Sequence, residues 1–422
     1  MMYRIDNPDS TGIGSSFDSP GNDCPNSLEP RRVVVLLTGG GDKPYVTGLC
    51  AALVSQGFNV CVVGGRDLDC PEITASSHVT FLDFLGPTTH NSRFLGKAMR
   101  AVRYYWKLIA FTIKCNHPLF HILWNYRLQW FDRTLLMCLY RIRGKLVFLT
   151  AHNVNASKRD GGDTWLNQLT LKCQYRLAHH TFVHTKRMQE ELRNDFGVEP
   201  PKSSVIPFGI NNTYPRTGLT PVEARASLGI SEDAKTILFF GNIGPYKGVE
   251  YLVEAFHELV ERGCDYQLVI AGKTRGGADP YAELLERTII EGCGAARIYR
   301  FNSFIPDADV EKFFAAADVF VLPYTHVFQS GVLFLGYSFG LPVIATDVGS
   351  FRDDVSEGVT GYVCRSCNSK DLAETIERLL TNPYFLDKRR STKRIIDIAN
   401  ELHSWNVVGD LTSTAYREAG RR

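Results

Sequence analysis

What this sequence lacks narrows it first. No apolar run is long enough to cross a bilayer as a helix, and the amino terminus has neither the basic start nor the apolar stretch of a signal peptide. Charge is nearly balanced, Lys+Arg 47 against Asp+Glu 45, so no global field draws the chain to nucleic acid. The 11 cysteines are odd in number and scattered, with Cys50, Cys61, Cys138 and Cys173 inside apolar runs. That pattern argues against a disulfide framework and for reduced, buried thiols in a cytosolic protein. Cys364 and Cys367 form the one CxxC. With no second pair and no histidine at ligand spacing, two structural thiols suit it better than zinc.

What is present is alternation. At 422 residues the chain implies two to three domains, and a hydrophobic content of 44% supports sizeable cores. Residues 1–30, rich in Asp, Ser, Gly, Pro and Asn, read as a disordered leader. From 31 to 210, apolar strands alternate with helical patterns: Val33 to Leu37, Phe58 to Val63, Val79 to Leu85, His121 to Trp124, Leu146 to Thr150, Thr181 to His184 and Ser204 to Pro207 are strands, and one helix is expected over Phe131 to Tyr140. Residues 211–234 are polar and irregular, a linker. Alternation restarts over 235–402, and residues 403–422 hold a last helix. Two such halves predict an α/β protein of two Rossmann-like domains with parallel sheets, facing across a cleft that suits a ligand.

Two loops stand out. After the first strand come Gly39-Gly40-Gly41, contiguous rather than in GxGxxG spacing, so close approach of a ligand and a plain flexible turn are both open. In the second half, Val319 to Val348 reads as strand, small-residue turn at Gln329-Ser330-Gly331, helix and strand. A helix amino terminus after a parallel strand offers free N–H groups to a phosphate. A third feature is charge: Arg100, Arg103, Lys107, Lys114, Arg127, Arg133, Arg141 and Arg143 are interleaved with Tyr104, Tyr105, Trp106, Trp124 and Trp130. The later elements read as sheet-covering, while contact with an anionic membrane surface stays open for the first helix, around Phe94 to Cys115.

Four segments in order resemble the retaining, nucleotide-sugar-dependent glycosyltransferases of the glycosyltransferase-B fold (group 1, family 4-like). They are Phe239 to Gly248, Leu268 to Lys273, the Val319–Val348 stretch with Gly340-Leu341-Pro342 and Gly349, and Ser404-Trp405, which heads a helix like the one crossing back onto the first domain. The Gln-Ser-Gly turn is similar to that of a branch in polysaccharide assembly. The resemblance implies hexose transfer from a UDP- or GDP-sugar to a saccharide or lipid-linked saccharide, with no further cofactor, in the cytoplasm or against its membrane face. In that picture Lys247 and His152 are catalytic. Lys247 meets the diphosphate, and His152, ending a first-domain strand, faces the donor sugar. The loop residues Gly241, Asn242 and Lys273, the turn Gln329, Ser330, Gly331 and Val332, and Gly40 and Gly41 across the cleft bind the donor. No metal is expected, since cationic side chains and a helix terminus would stabilise the leaving phosphate. The departures are specific. Val327 and Leu335 occupy the slots of two family glutamates, and Asn242 that of an arginine, for which Lys273 or Arg275 could compensate. These departures keep a noncatalytic binding subunit open, and a sugar-nucleotide epimerase of the same fold is a further alternative.

Overall fold

The structure is a computed structural model and describes residues 32–40, 42–86, 94–159, 162–210, 214–274 and 279–420. The leader expected over 1–30, Gly41 and Arg275 lie outside the described residues.

The first sheet has seven parallel strands: β1 (Val33–Leu37), β2 (Asn59–Gly64), β3 (Val79–Asp83), β4 (Leu119–Ile122), β5 (Leu146–Thr150), β6 (His180–Val183) and β7 (Ser203–Val205), in the order β3-β2-β1-β4-β5-β6-β7. Val34 pairs with Val60 on one side and Leu119 on the other. Side chains alternate across each strand, so Val35 and Leu37 enter one core with Tyr104, Leu108 and Phe120, while Val34 and Leu36 enter the opposite core with Val46, Leu49 and Phe148. Burial on both faces is why these strands are almost uninterrupted apolar runs. The helices used below are α1 (Lys43–Ser55), α2 (Phe94–Lys114), α3 (Gln129–Arg133), α4 (Leu135–Ile142), α5 (Trp165–Leu177) and α6 (Lys186–Phe196).

After α7 (Pro221–Leu228) comes a six-stranded parallel sheet: β8 (Lys235–Phe240), β9 (Tyr266–Ala271), β10 (Ile298–Phe301), β11 (Val319–Leu322), β12 (Val343–Thr346) and β13 (Gly361–Cys364), ordered β10-β9-β8-β11-β12-β13. Its helices include α8 (Val249–Glu261), α9 (Val310–Ala316), α10 (Gly331–Ser338), α11 (Phe351–Asp354) and α12 (Lys388–His403), before α13 (Trp405–Ala419) returns to the first sheet. There Tyr416 is buried, its hydroxyl 2.5 Å from His121 Nδ1.

Strand order reverses beside β1, between β2 and β4, and beside β8, between β9 and β11. The crevices beyond the carboxyl ends of β1/β4 and β8/β11 are therefore where this architecture holds ligands.

Local details differ from the sequence expectation. The strand expected at His121–Trp124 is Leu119–Ile122, and Trp124 lies beyond its end. The single helix expected over Phe131–Tyr140 is broken at Thr134 (φ −120°, ψ −84°), which ends α3 and starts α4. Within 211–234, expected to be irregular, stands α7. Thr220 accepts from the Glu223 amide while the Glu223 carboxylate accepts from the Thr220 amide at 2.9 Å, a reciprocal cap, and Gly229 in the left-handed region stops the helix. Arg225 of α7 is buried, 2.8 Å from Asp318 and 3.0 Å from the Ala316 carbonyl, which fixes α7 to the second sheet. Removing either partner of such a buried pair costs about 3–5 kcal/mol.

Candidate active site

The crevice of the second sheet is built by glycine. Gly272 (φ +147°) has no room for a Cβ, which would sit 1.9 Å from the Gly241 carbonyl oxygen. Gly241 can therefore leave β8 close against the end of β9. The loop then turns through Pro245–Lys247 to Gly248, at φ +60°, where a Cβ would lie 2.1 Å from the Pro323 oxygen. This close approach of the loop to the end of β11 carries Lys247 inward.

Lys247 is buried at 7% exposure, an unusual place for an ammonium. Its Nζ donates to the Tyr324 hydroxyl at 2.5 Å and lies 3.8 Å from the centre of that ring, with the Tyr246 ring at 5.1 Å. The ring faces offer the cation a cation–π environment. Burial raises the Tyr324 pKa, so its hydroxyl stays neutral, and Ser330 Oγ reaches it at 3.4 Å. Ser330 is the N-cap of α10, and its side chain makes no cap hydrogen bond. Gly331 and Val332 follow in the first turn, where amides have no intrahelical acceptor. Lys247 and the amino end of α10 are thus joined through Tyr324, a residue that sequence reasoning missed although it stands two residues past the end of β11.

Gln329 is half-buried beside this string. Its Oε1 is buried without a partner, and its amide bonds the Asp354 carboxyl, which burial raises to about 7. Val327 and Leu335 are both buried and apolar, so the two family glutamate slots give this site no hydrogen bond. Asn242 and Lys273 are exposed, and their loops meet where the Ile243 amide donates to the Lys273 carbonyl at 3.0 Å.

The first-sheet crevice is aromatic and neutral. Gly39 (φ +56°) leaves β1 with its Cβ position 2.3 Å from the Trp124 carbonyl oxygen, and Gly40 (φ +86°) follows, exposed. His152, just past β5, stacks on Trp124 at 4.1 Å with 7° between the planes, and Tyr45 meets its edge at 4.7 Å. Its Nδ1 lies 3.0 Å from His184 Nε2, and His184 Nδ1 lies 3.2 Å from the Ile206 carbonyl. A carbonyl only accepts, which assigns the protons: His184 carries its proton on Nδ1 and receives the His152 Nδ1–H at Nε2. His152 Nε2 is then a lone-pair acceptor, buried and without a partner. Burial holds His184 down at about 4, and burial, then His184, holds His152 well below the ordinary histidine range. A proton donor is therefore not what this ring presents.

Between the halves lies a cavity of about 260 Å³. Asp42 and Tyr45 line it from the first domain, Phe240, Gly331, Val332 and Leu335 from the second, and Phe208 and Trp405 from the connections. Phe208 lies 3.1 Å from where a Gly331 Cβ would stand and stacks on Phe334. Trp405 fits a notch made by Gly48 and Gly209, where added Cβ atoms would fall 1.9 and 2.4 Å from the indole. Of the sequence candidates, the structure brings Gly331 and Val332 to this cavity and joins Lys247 to Ser330. His152 stands one layer behind, against the cavity-lining Tyr45, rather than among the lining residues. A larger groove of about 700 Å³, lined by Arg216, Phe339, Lys388 and Asp397 among others, lies toward the amino ends of β11 and β12, away from Lys247. Among the described residues no group of three or more His, Cys, Asp or Glu side chains could hold a metal ion. None of the ten described cysteines is in a disulfide; Cys50 and Cys61 are buried as expected, but Cys173 is only half-buried and Cys138 is exposed.

Two family models match: "Glycosyl transferases group 1" over residues 222–397 and "Glycosyltransferase Family 4" over 39–214. The D-inositol 3-phosphate glycosyltransferase of Corynebacterium aurimucosum is 28% identical over 64% of this chain and 65% of its own length. The alpha-D-kanosaminyltransferase of Streptomyces kanamyceticus is 29% identical over 58% of this chain and 62% of its own. These matches thus span a little under two thirds of each relative. Among solved structures, sucrose-phosphate synthase of Thermosynechococcus elongatus superposes with a TM-score of 0.71 at 22% identity, over 93% of this chain and 100% of that one. HepE of Anabaena in complex with UDP-glucose gives 0.68 at 16% identity, over 91% and 99%.

Proposed function

The chain belongs to the group 1 and family 4 glycosyltransferases of the glycosyltransferase-B fold, and from that premise we propose that it moves a hexose from a UDP- or GDP-sugar to a hydroxyl of a saccharide or lipid-linked saccharide, with retention. The observation that carries this reading is the string from buried Lys247 through Tyr324 to Ser330 at the head of α10. It sets a cation and a helix amino terminus on one crevice, a combination suited to a diphosphate.

In this reading the sugar–phosphate bond breaks as the acceptor oxygen bonds to the anomeric carbon. Lys247 and the α10 amides stabilise the charge growing on the leaving phosphate, and a phosphate oxygen takes the acceptor proton. No side-chain base is then required. His152, with its Nε2 lone pair, receives a hydrogen bond from a sugar hydroxyl once Tyr45 or the domains shift to admit it. Gln329 Oε1 is a second unsatisfied acceptor for the donor. The apolar Leu335 wall favours grip on phosphate over grip on ribose. UDP-glucose in the HepE structure and the transferase names of the relatives support a nucleotide-sugar donor.

The noncatalytic alternative draws on Asn242, exposed and uncharged in the arginine slot. The epimerase alternative needs a pair of acid and base carboxylates in the cleft, and Asp42 is the one acid among the residues lining the cavity between the halves. A thermal-shift screen against UDP, GDP and ADP sugars, followed by a donor-turnover assay, decides between enzyme and binder. Stabilisation by one donor together with nucleotide release supports the transferase. Stabilisation with no turnover on any common donor supports the binding subunit.

A further inference from the structure

The first domain carries a surface that the transfer chemistry does not use. Helix α2 presents three distinct faces. Tyr104, Tyr105, Leu108 and Thr112 are buried against the sheet and its neighbours. At 3.6 residues per turn, Met99, Val102, Trp106 and Ile113 share an arc of about 60°, and Arg100, Arg103, Lys107 and Lys114 share an adjoining arc of about the same width. The apolar arc is open to solvent: Met99 is 74% exposed, Val102 70%, Trp106 73% and Ile113 46%.

The surface continues onto neighbouring helices. Arg143, just beyond α4, donates to the Ile113 carbonyl at 2.7 Å, which brings Ile142, 81% exposed, beside the end of α2. Trp130, 52% exposed, adjoins Phe131, which packs on Tyr105 of α2. Residues 94–145 hold ten Lys or Arg and one acid, whereas the rest of the chain holds 37 Lys or Arg against 44 acids. That acid, Asp132, is buried and accepts from the Tyr105 hydroxyl at 3.1 Å and the Tyr126 amide at 2.9 Å, so it puts no negative charge on the surface.

We propose that this face docks the protein on an anionic lipid surface, with Met99, Val102, Trp106 and Ile113 entering the headgroup boundary and the flanking, exposed Arg103 and Lys114 meeting lipid phosphates. Charge selects this occupant. A second copy using the same face would set one basic arc against another. An apolar arc beside a basic arc on an exposed helix, with tryptophan at its centre, matches an interface whose core is apolar and whose boundary is negative. No helix among the described residues is long and apolar enough to cross a membrane, so the contact is one of lying on the surface. The inference stands on these exposures and charges and is independent of which donor or acceptor the active site takes.

Vesicle co-sedimentation of the full chain tests it, comparing phosphatidylcholine alone with phosphatidylcholine containing about a quarter phosphatidylglycerol. The protein partitions at least about tenfold more strongly onto the anionic vesicles, and added salt weakens the binding. The double variant Trp106→Ser/Ile113→Ser and the double variant Arg103→Glu/Lys114→Glu each lower that partition by about tenfold or more. All four side chains are solvent-facing, so melting temperature and the thermal shift with a nucleotide sugar stay at wild-type values in both variants. Equal partition onto both vesicle types, no partition onto either, or wild-type binding by the variants overturns the proposal. So does sedimentation as a dimer that Trp106→Ser/Ile113→Ser dissociates, which would assign the face to a second copy.

Discussion

The two crevices are framed alike and filled differently. In each, a glycine at positive φ follows or ends the loop after a central strand and presses against the backbone leaving the strand across the order reversal, Gly39 on Trp124 and Gly248 on Pro323. The first crevice is then filled by neutral rings: Tyr45, Trp124, His152 and His184. The second holds a buried ammonium against a tyrosine and a helix head. The same backbone device thus serves two purposes. One side offers neutral hydrogen-bonding groups and apolar ring faces and the other a positive charge, which fits the proposed donor with a sugar at one end and a diphosphate at the other.

The largest expected effect lies in the charged crevice. Lys247→Ala should lower turnover about 100- to 1000-fold, measured as nucleotide release, while the protein still melts cooperatively. Unchanged turnover would remove the distinction between the crevices. Next come the paired glycines. Gly248→Ala and Gly39→Ala should each cost about 3 kcal/mol by denaturant unfolding, since each forces a Cβ into a carbonyl oxygen at positive φ. Gly248→Ala alone should also weaken nucleotide binding, and equal loss in both variants would break the asymmetry.

In the neutral crevice His152→Ala should reduce turnover about tenfold with little change in donor affinity, read from kcat and KM separately. The smallest effect concerns pH. His184 and His121 have folded values of about 4 and about 3, below the ordinary 6.5, so the unfolded chain takes up their protons first. Their contribution is complete above about 6.5 and is lost as pH falls toward 4. Asp354 in the other crevice has the opposite sign, because its raised value favours the folded state at lower pH. Calorimetric scans should therefore show the melting temperature of His184→Gln falling less between pH 6.5 and 4 than that of the wild type.

Much of the framework was legible because strands buried on both faces cannot hide: Val33 to Leu37 and Val319 to Leu322 are apolar at every position. The turn at Gln329-Ser330-Gly331 was legible as a helix start because small residues before an apolar run have few other uses. Features that depend on distant partners were not legible. Tyr324 gains its role only when the loop after β8 folds Lys247 over it. His184 orients His152 only because β5, β6 and the chain after β7 lie side by side. Trp405 was legible as the head of a returning helix, but its notch is made by Gly48 and Gly209, and empty space leaves no mark on sequence. The break at Thr134 leaves no glycine or proline to announce it. The helix Pro221–Leu228, by contrast, was signalled by Thr220-Pro221-Val222-Glu223, a cap pattern overshadowed by the surrounding polar residues.

The proposed function depends on diphosphate binding at Lys247. Calorimetric titration of the intact protein with UDP, and then GDP, compared with Lys247→Ala and with His152→Ala, tests this most directly. One nucleotide should bind wild type and His152→Ala with similar affinity and Lys247→Ala at least about 100-fold more weakly. Equal affinity for wild type and Lys247→Ala would contradict the proposed function.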